Sequence, residues 1–117
     1  MTIRKVTVLG AGTMGSQIAA LLVNAGLKVK LLDIAIDDNE PNKIAKKAYE
    51  TITNPKRPQL FDLNFASNLQ YGNFNDDLQN DDADLYIEAV KEEIDIKHQL
   101  WKQITEIAKK DALFATN

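Results

Sequence analysis

The run Gly10-Ala11-Gly12-Thr13-Met14-Gly15 lies between a short apolar strand pattern and an amphipathic helix pattern, and Asp33 closes the next strand pattern. Each glycine in such a run answers a separate physical demand. Gly10 lets the chain leave the strand in a tight turn. Gly12 removes a side chain that would block close approach of a pyrophosphate, and Gly15 lets the helix pack near the strand. The pyrophosphate would then meet free backbone N–H groups at the helix N-terminus, where the helix dipole adds partial positive charge. No basic side chain is required. The combination specifies a dinucleotide site.

Asp33 refines the ligand. A carboxylate at the end of the second strand can accept hydrogen bonds from the adenosine ribose hydroxyls, whereas a 2′-phosphate there meets like charge. Ile34 and Ala35 follow it, with no arginine to neutralise that phosphate. The same residues that favour NAD therefore disfavour NADP.

A glycine triplet alone is weak evidence, because glycines also serve turns and helix caps. Here the flanks carry the assignment. Ile3, Val6, Val8 and Leu9 supply a strand. Met14, Ile18, Leu21, Leu22 and Ala25 recur at helical spacing until Asn24-Ala25-Gly26 ends the helix.

With 117 residues the chain forms one domain, and 44% apolar content is enough for a core without disulfides or metals. The absence of cysteine excludes thiol chemistry. The longest apolar run, Ile18 to Val23, is far too short to span a bilayer, which makes a cytoplasmic protein the default expectation. The formal charge is −3 and no basic stripe is interleaved with aromatics, so a nucleic-acid footprint is missing. Lys43, Lys46 and Lys47 come nearest to one. Opposite Ile44, Ala48 and Ile52 they read as the solvated face of a helix.

Further along, Asp37 to Glu40 offers acidic helix-start chemistry, Pro41 suits a first helical position, and the helix runs to about Ile52. Residues 54–68, rich in proline at their start, show no clean period and read as an irregular connection. Leu69 to Tyr71 predicts a short strand, Asp76 to Asn80 a helical turn, and Leu85 to Ile87 a buried strand. From Asp95, the residues Leu100, Trp101, Ile104, Ile107 and Ala108 form a helical stripe, and Lys109-Lys110 would complement its C-terminus. Ala112 to Ala115 predicts the last strand.

Strands alternating with helices imply an α/β fold of the Rossmann type: a doubly wound, mainly parallel sheet with helices on both faces. Ligands in such sheets bind beyond the carboxyl ends of the strands, where strand order reverses. That rule gathers Gly10 to Gly15, Asp33, the Glu88-Ala89-Val90 turn and Thr116-Asn117 along one rim.

The segment Ile87-Glu88-Ala89-Val90-Lys91-Glu92-Glu93-Ile94-Asp95-Ile96-Lys97 narrows the fold to a family. With the glycine run, Asp33 and the terminal Ala115-Thr116-Asn117, it resembles the NAD-binding domain of L-3-hydroxyacyl-CoA dehydrogenases over essentially the whole chain. The spacing and the proline-rich connection look most like the fatty-acid β-oxidation branch in which this dehydrogenase is joined to an enoyl-CoA hydratase-like region. The resemblance implies that Ala89, Val90 and Glu92 lie against the nicotinamide-side ribose and that Lys97 reaches the cofactor or nearby substrate. It also implies that Met14 and Thr13 belong to the glycine-loop side of the cleft and that Asn117 stands at the active-site cleft. Lys91 departs from the uncharged residue common in relatives, a change that a backbone contact would survive.

The family oxidises the 3-hydroxyl of an acyl-CoA by hydride transfer to the nicotinamide, while a histidine oriented by a glutamate removes the hydroxyl proton. Both residues, and the helical domain that completes the substrate cleft, match nothing up to Asn117. His98, the lone histidine, fits no catalytic motif and is assigned to a helix surface. No catalytic residue and no metal ligand is therefore expected in this chain. The expectation is the cofactor half of a longer enzyme, with 3-hydroxyacyl-CoA as substrate partner and with homo-oligomerisation through surface that relatives cover by a second domain. The alternatives are another NAD-linked dehydrogenase domain, acting on a β-hydroxy acid or a sugar nucleotide, and a non-catalytic NAD-sensing module.

Overall fold

Val6, Val8, Leu9, Leu31 and Leu32 are each no more than 1% exposed, and they form the two strands on which the rest is built. At about 1.5–3 kcal/mol for each fully buried aliphatic side chain, this pair of strands is the energetic centre of the domain. The computed structural model describes residues 2–35, 39–78, 81–90, 94–109 and 111–116. Its strands are β1 (Lys5–Leu9), β2 (Lys28–Asp33), β3 (Leu69–Asn73), β4 (Leu85–Glu88) and β5 (Leu113–Thr116). The helices are α1 (Thr13–Asn24), α2 (Lys43–Ile52), the short α3 (Phe74–Asp77) and α4 (Ile94–Ile107).

All neighbouring strands pair in parallel, in the order β3-β2-β1-β4-β5. Strand order therefore reverses between β1 and β4, which is the expected α/β Rossmann arrangement. Alternation along β1 sends Val6 and Val8 to one face, where Ala19, Ala20 and Val23 of α1 and Ala45, Ala48 and Ile52 of α2 cover them. Leu9 joins Leu32, Phe74, Tyr86, Leu100 and Ile104 on the other face. Helices cover both sides. Phe114 of β5 stacks on Tyr86 at 5.6 Å and meets Trp101 of α4 edge-on at 5.5 Å, which ties the last strand to this second core.

The end of α1 falls as the sequence implies. Gly26 has φ +92°, its N–H donates to the Val23 carbonyl, and the Leu27 N–H donates to the Leu22 carbonyl, the paired bonds of a Schellman cap. Other boundaries differ from expectation. Pro41 is not the first residue of α2. It occupies the second position of a turn closed by the Lys43 N–H on the Glu40 carbonyl, where its fixed φ is equally favourable, and the helix starts two residues later.

Strand β3 extends to Asn73, and α3 begins at Phe74 rather than Asp76, because the Asn73 side chain accepts from the N–H groups of Asn75 and Asp76. Gln79 and Asn80 lie outside the described residues. The irregular connection contains a 3-10 helix, Leu63–Asn68, opened by Asp62 accepting from the Asn64 N–H. Lys109 falls beyond the end of α4, and its ammonium bonds the Asp84 carboxylate instead of the helix carbonyls. Lys110 is outside the described residues. Strand β5 is displaced by one residue from the expected Ala112–Ala115, since the Ala112 N–H closes a turn on the Lys109 carbonyl. Among the described residues, no helix is long and apolar enough to cross a membrane, and no group of side chains is arranged to hold a metal.

Candidate functional site

The carboxyl ends of β1, β2 and β4 lie side by side: Leu9 pairs in register with Leu32 on one side and Glu88 on the other. The chain leaves β1 through Gly10, whose φ of +113° is a region that side-chain-bearing residues seldom adopt. Its N–H donates to the Leu32 carbonyl at 2.7 Å, so the loop begins anchored to β2. A Cβ on Gly10 would stand 2.7 Å from the Ala89 carbonyl oxygen, and one on Gly15 would stand 1.7 Å from the Gly10 carbonyl oxygen. Neither collision involves a flexible side chain. Those two glycines are demanded by packing alone.

Gly12 differs from both. A Cβ there would meet no protein atom within 4 Å, so packing does not explain it. Gly12 is the N-cap of α1, with no side-chain hydrogen bond capping the helix among the described residues. The first helical N–H groups lack intrahelical partners by geometry, and the dipole makes that end electropositive. Gly12, Thr13 and Met14 are exposed, Met14 by 51%. Open space in front of uncapped amides is what a diphosphate needs.

Asp33 is half-buried beside this loop. Its Oδ2 accepts from the Ala11 N–H at 2.7 Å and its Oδ1 from the Ile34 N–H at 2.6 Å. The carboxylate thus fixes the glycine loop while retaining lone pairs for a further donor. On the other side of β1, the Ala89 N–H donates to the Leu9 carbonyl at 2.7 Å, and Glu88 Oε2 accepts from the Val90 N–H at 2.9 Å. Ala89 and Val90 are half-buried, and Glu88 is fully buried.

Of the residues singled out from sequence, Gly10, Gly12, Thr13, Met14, Gly15, Asp33, Ala89 and Val90 share one rim. Glu92 and Asn117 lie outside the described residues, as does the side chain of Lys97. His98 is exposed on α4. Sequence reasoning put Glu88 in the rim turn without giving it a role; a charged residue closing the run Leu85-Tyr86-Ile87 was the available signal. The lysines of α2, Lys43, Lys46 and Lys47, are exposed as the sequence implies, and Lys43 and Lys47, with Ile44, also line a groove of about 620 Å³ that opens beside Gly12, Thr13 and Ser16.

A parallel sheet with reversed strand order at β1/β4, an open glycine cradle on a helix N-terminus and an acid closing β2 define a Rossmann dinucleotide-binding domain. Comparison with known proteins then gives the family. Residues 5–117 match the family model for the 3-hydroxyacyl-CoA dehydrogenase NAD-binding domain, and the chain belongs to that family. It is 45% identical over 98% of its length to a Rickettsia felis protein named as a fatty acid oxidation complex trifunctional enzyme, and 40% identical over its whole length to one of Deinococcus radiodurans named as a 3-hydroxyacyl-CoA dehydrogenase. The chain spans 16% and 34% of those proteins. The crystal structure of 3-hydroxybutyryl-CoA dehydrogenase from Escherichia coli superposes with a TM-score of 0.79 at 27% identity, over all of this chain and 25% of that one. The cofactor of the family is NAD.

Proposed function

We propose that this chain is the cofactor-holding domain of an enzyme that oxidises 3-hydroxyacyl-CoA to 3-oxoacyl-CoA in fatty-acid β-oxidation. The observation that carries the cofactor half of this reading is Gly12: an exposed glycine that packing does not require, at the uncapped start of α1, with Asp33 beside it. The relatives' names support the substrate. In this reading bound NAD supplies the hydride acceptor.

The chain's own residues bind and orient. The first amides of α1 neutralise the diphosphate, Asp33 accepts from the adenosine ribose, and Gly10 and Gly15 hold the loop in the shape that exposes those amides. Ala89 and Val90, with Glu92, Lys97 and Asn117, are assigned to the nicotinamide side, and Thr13 and Met14 to the glycine-loop wall. Removal of the substrate's hydroxyl proton is assigned to a part of the full-length enzyme outside this chain, since a general base must reach its proton within hydrogen-bond distance and His98 is exposed on α4.

Titration calorimetry of the chain tests this. NAD should bind at least about tenfold more tightly than NADP, and Asp33→Ala should weaken NAD by about tenfold or more, the value of a charge-assisted hydrogen bond. Equal affinity for the two cofactors would overturn the role given to Asp33, and absence of NAD binding would overturn the whole reading.

A further inference from the structure

Glu88 is the side chain on this rim whose chemistry the cofactor reading has not used. It is 0% exposed, at the end of a strand whose preceding residue on the same face, Tyr86, and whose register partner on β1, Leu9, both belong to the second core. A carboxylate is costly to bury, and strand packing here asks only for an apolar side chain. What the acid does is visible in its geometry: Oε2 reaches two residues ahead and accepts the Val90 N–H at 2.9 Å.

That bond bends the chain just where β4 meets the glycine loop. The imagined Cβ of Gly10 would lie 2.7 Å from the Ala89 oxygen and 2.9 Å from the Val90 nitrogen, so the backbone of this turn is a wall of the Gly10 corner. The wall stands on the far side of β1 from Asp33, because the strand order runs β2-β1-β4. A dinucleotide with its adenosine at β2 and its diphosphate over β1 must lay its other half over β4.

We propose that Glu88 is a positioning residue: by holding the Val90 N–H it sets the Ala89–Val90 turn at the height that admits the nicotinamide half of the cofactor, given that NAD occupies this rim. Without that anchor the turn relaxes toward or away from Gly10 and the second half of the dinucleotide loses its seat. The adenosine half, held by Asp33 and the start of α1, keeps its own contacts.

Titrations of the chain with NAD and with ADP, followed by chemical shifts and paired with thermal melts, separate these effects. Glu88→Met keeps the bulk and removes the acceptor; it should weaken NAD by about tenfold while ADP binds as in the unsubstituted chain. Glu88→Gln retains an oxygen acceptor and should restore NAD affinity. Val90→Pro removes the donor without touching Glu88, covers the case in which Glu88→Met does not fold, and should reproduce the selective loss. Unchanged NAD affinity in Glu88→Met or Val90→Pro overturns the proposal. So does a parallel loss of NAD and ADP, the mark of a general folding role. If the unsubstituted chain binds ADP but not NAD, or neither, the cofactor reading fails first and this one with it.

Discussion

The two ends of the sheet both carry acidic side chains, and they use them in opposite ways. At the amino end, Asp81, Asp82 and Asp84 are spent on the protein itself. Asp81 is buried between the Thr7 hydroxyl at 2.7 Å and the Lys30 ammonium at 2.9 Å, and Asp82 pairs with Lys5. Asp84 accepts from the N–H groups of Arg4 and Lys5 and from Lys109, while its own backbone bonds Lys5 and Leu113. One aspartate thereby laces β1, β4 and β5 together. At the carboxyl end, Asp33 accepts from the loop amides of Ala11 and Ile34 and Glu88 from that of Val90, beside the open space in front of Gly12. At the closed end the acids join the protein to itself, and at the open end the first amides of α1 face unfilled space.

Substitutions of glycine at the open end offer the strongest way to break this contrast. Gly15→Ala drives a methyl group into the Gly10 carbonyl and should cost more than about 3 kcal/mol, enough to leave little folded protein in a circular dichroism melt. Gly12→Ala meets nothing, so the melt should be unchanged while NAD affinity falls. If both glycines behave alike, the distinction between packing glycine and ligand glycine is lost.

Next in size is Asp81→Ala at the closed end. It strands Lys30 and Thr7 and should destabilise the fold by about 2–4 kcal/mol in urea denaturation, with NAD affinity of the folded fraction intact. A matching loss of affinity would show that the two ends are not independent.

The smallest effect is a pH dependence. The Lys109 ammonium, with the Arg4 and Lys5 amides, holds the Asp84 carboxyl well below the usual carboxylate range. A lowered native pKa contributes stability that is complete above the unfolded value, about 4, and is lost as pH falls through the native one. Asp84→Asn should therefore lower the melting temperature modestly at neutral pH and flatten the acid limb of a plot of melting temperature against pH, the two proteins converging as pH falls below about 4. An unaltered acid limb would remove Asp84 from the closed end's inventory. Lys109, whose pKa is raised by the same pair, adds a mirror-image loss only in strong alkali.

The open end was legible because its demands are written as residue types that little else explains. Gly10, Gly12 and Gly15 at fixed spacing and Asp33 after the next strand gave the loop, the helix and the ligand class together. The closed end was not, because nothing in the local pattern around Asp81, Asp82 and Asp84 marks a partner for any of them. Their partners Thr7, Lys30 and Lys109 are far away along the chain, and only the sheet register brings them close. Pro41 was misplaced for a related reason: one fixed φ serves a turn and a helix start equally, and sequence offers nothing to choose between them. The start of α3 followed from Asn73, whose capping role becomes visible only once β3 is known to end there. The sequence places Asp33 at a ribose, whereas its bond to Ala11 arises only where the sheet sets the end of β2 beside the glycine loop.

That bond constrains how the protein could change over evolution. Any lineage drifting toward a phosphorylated coenzyme must give up the acid at position 33, and with it the tether that keeps residue 11 in place. A single-step switch would loosen the loop that the proposed function assigns to the diphosphate before any new preference had formed. The accessible route runs through a second, earlier substitution that secures the loop by other means.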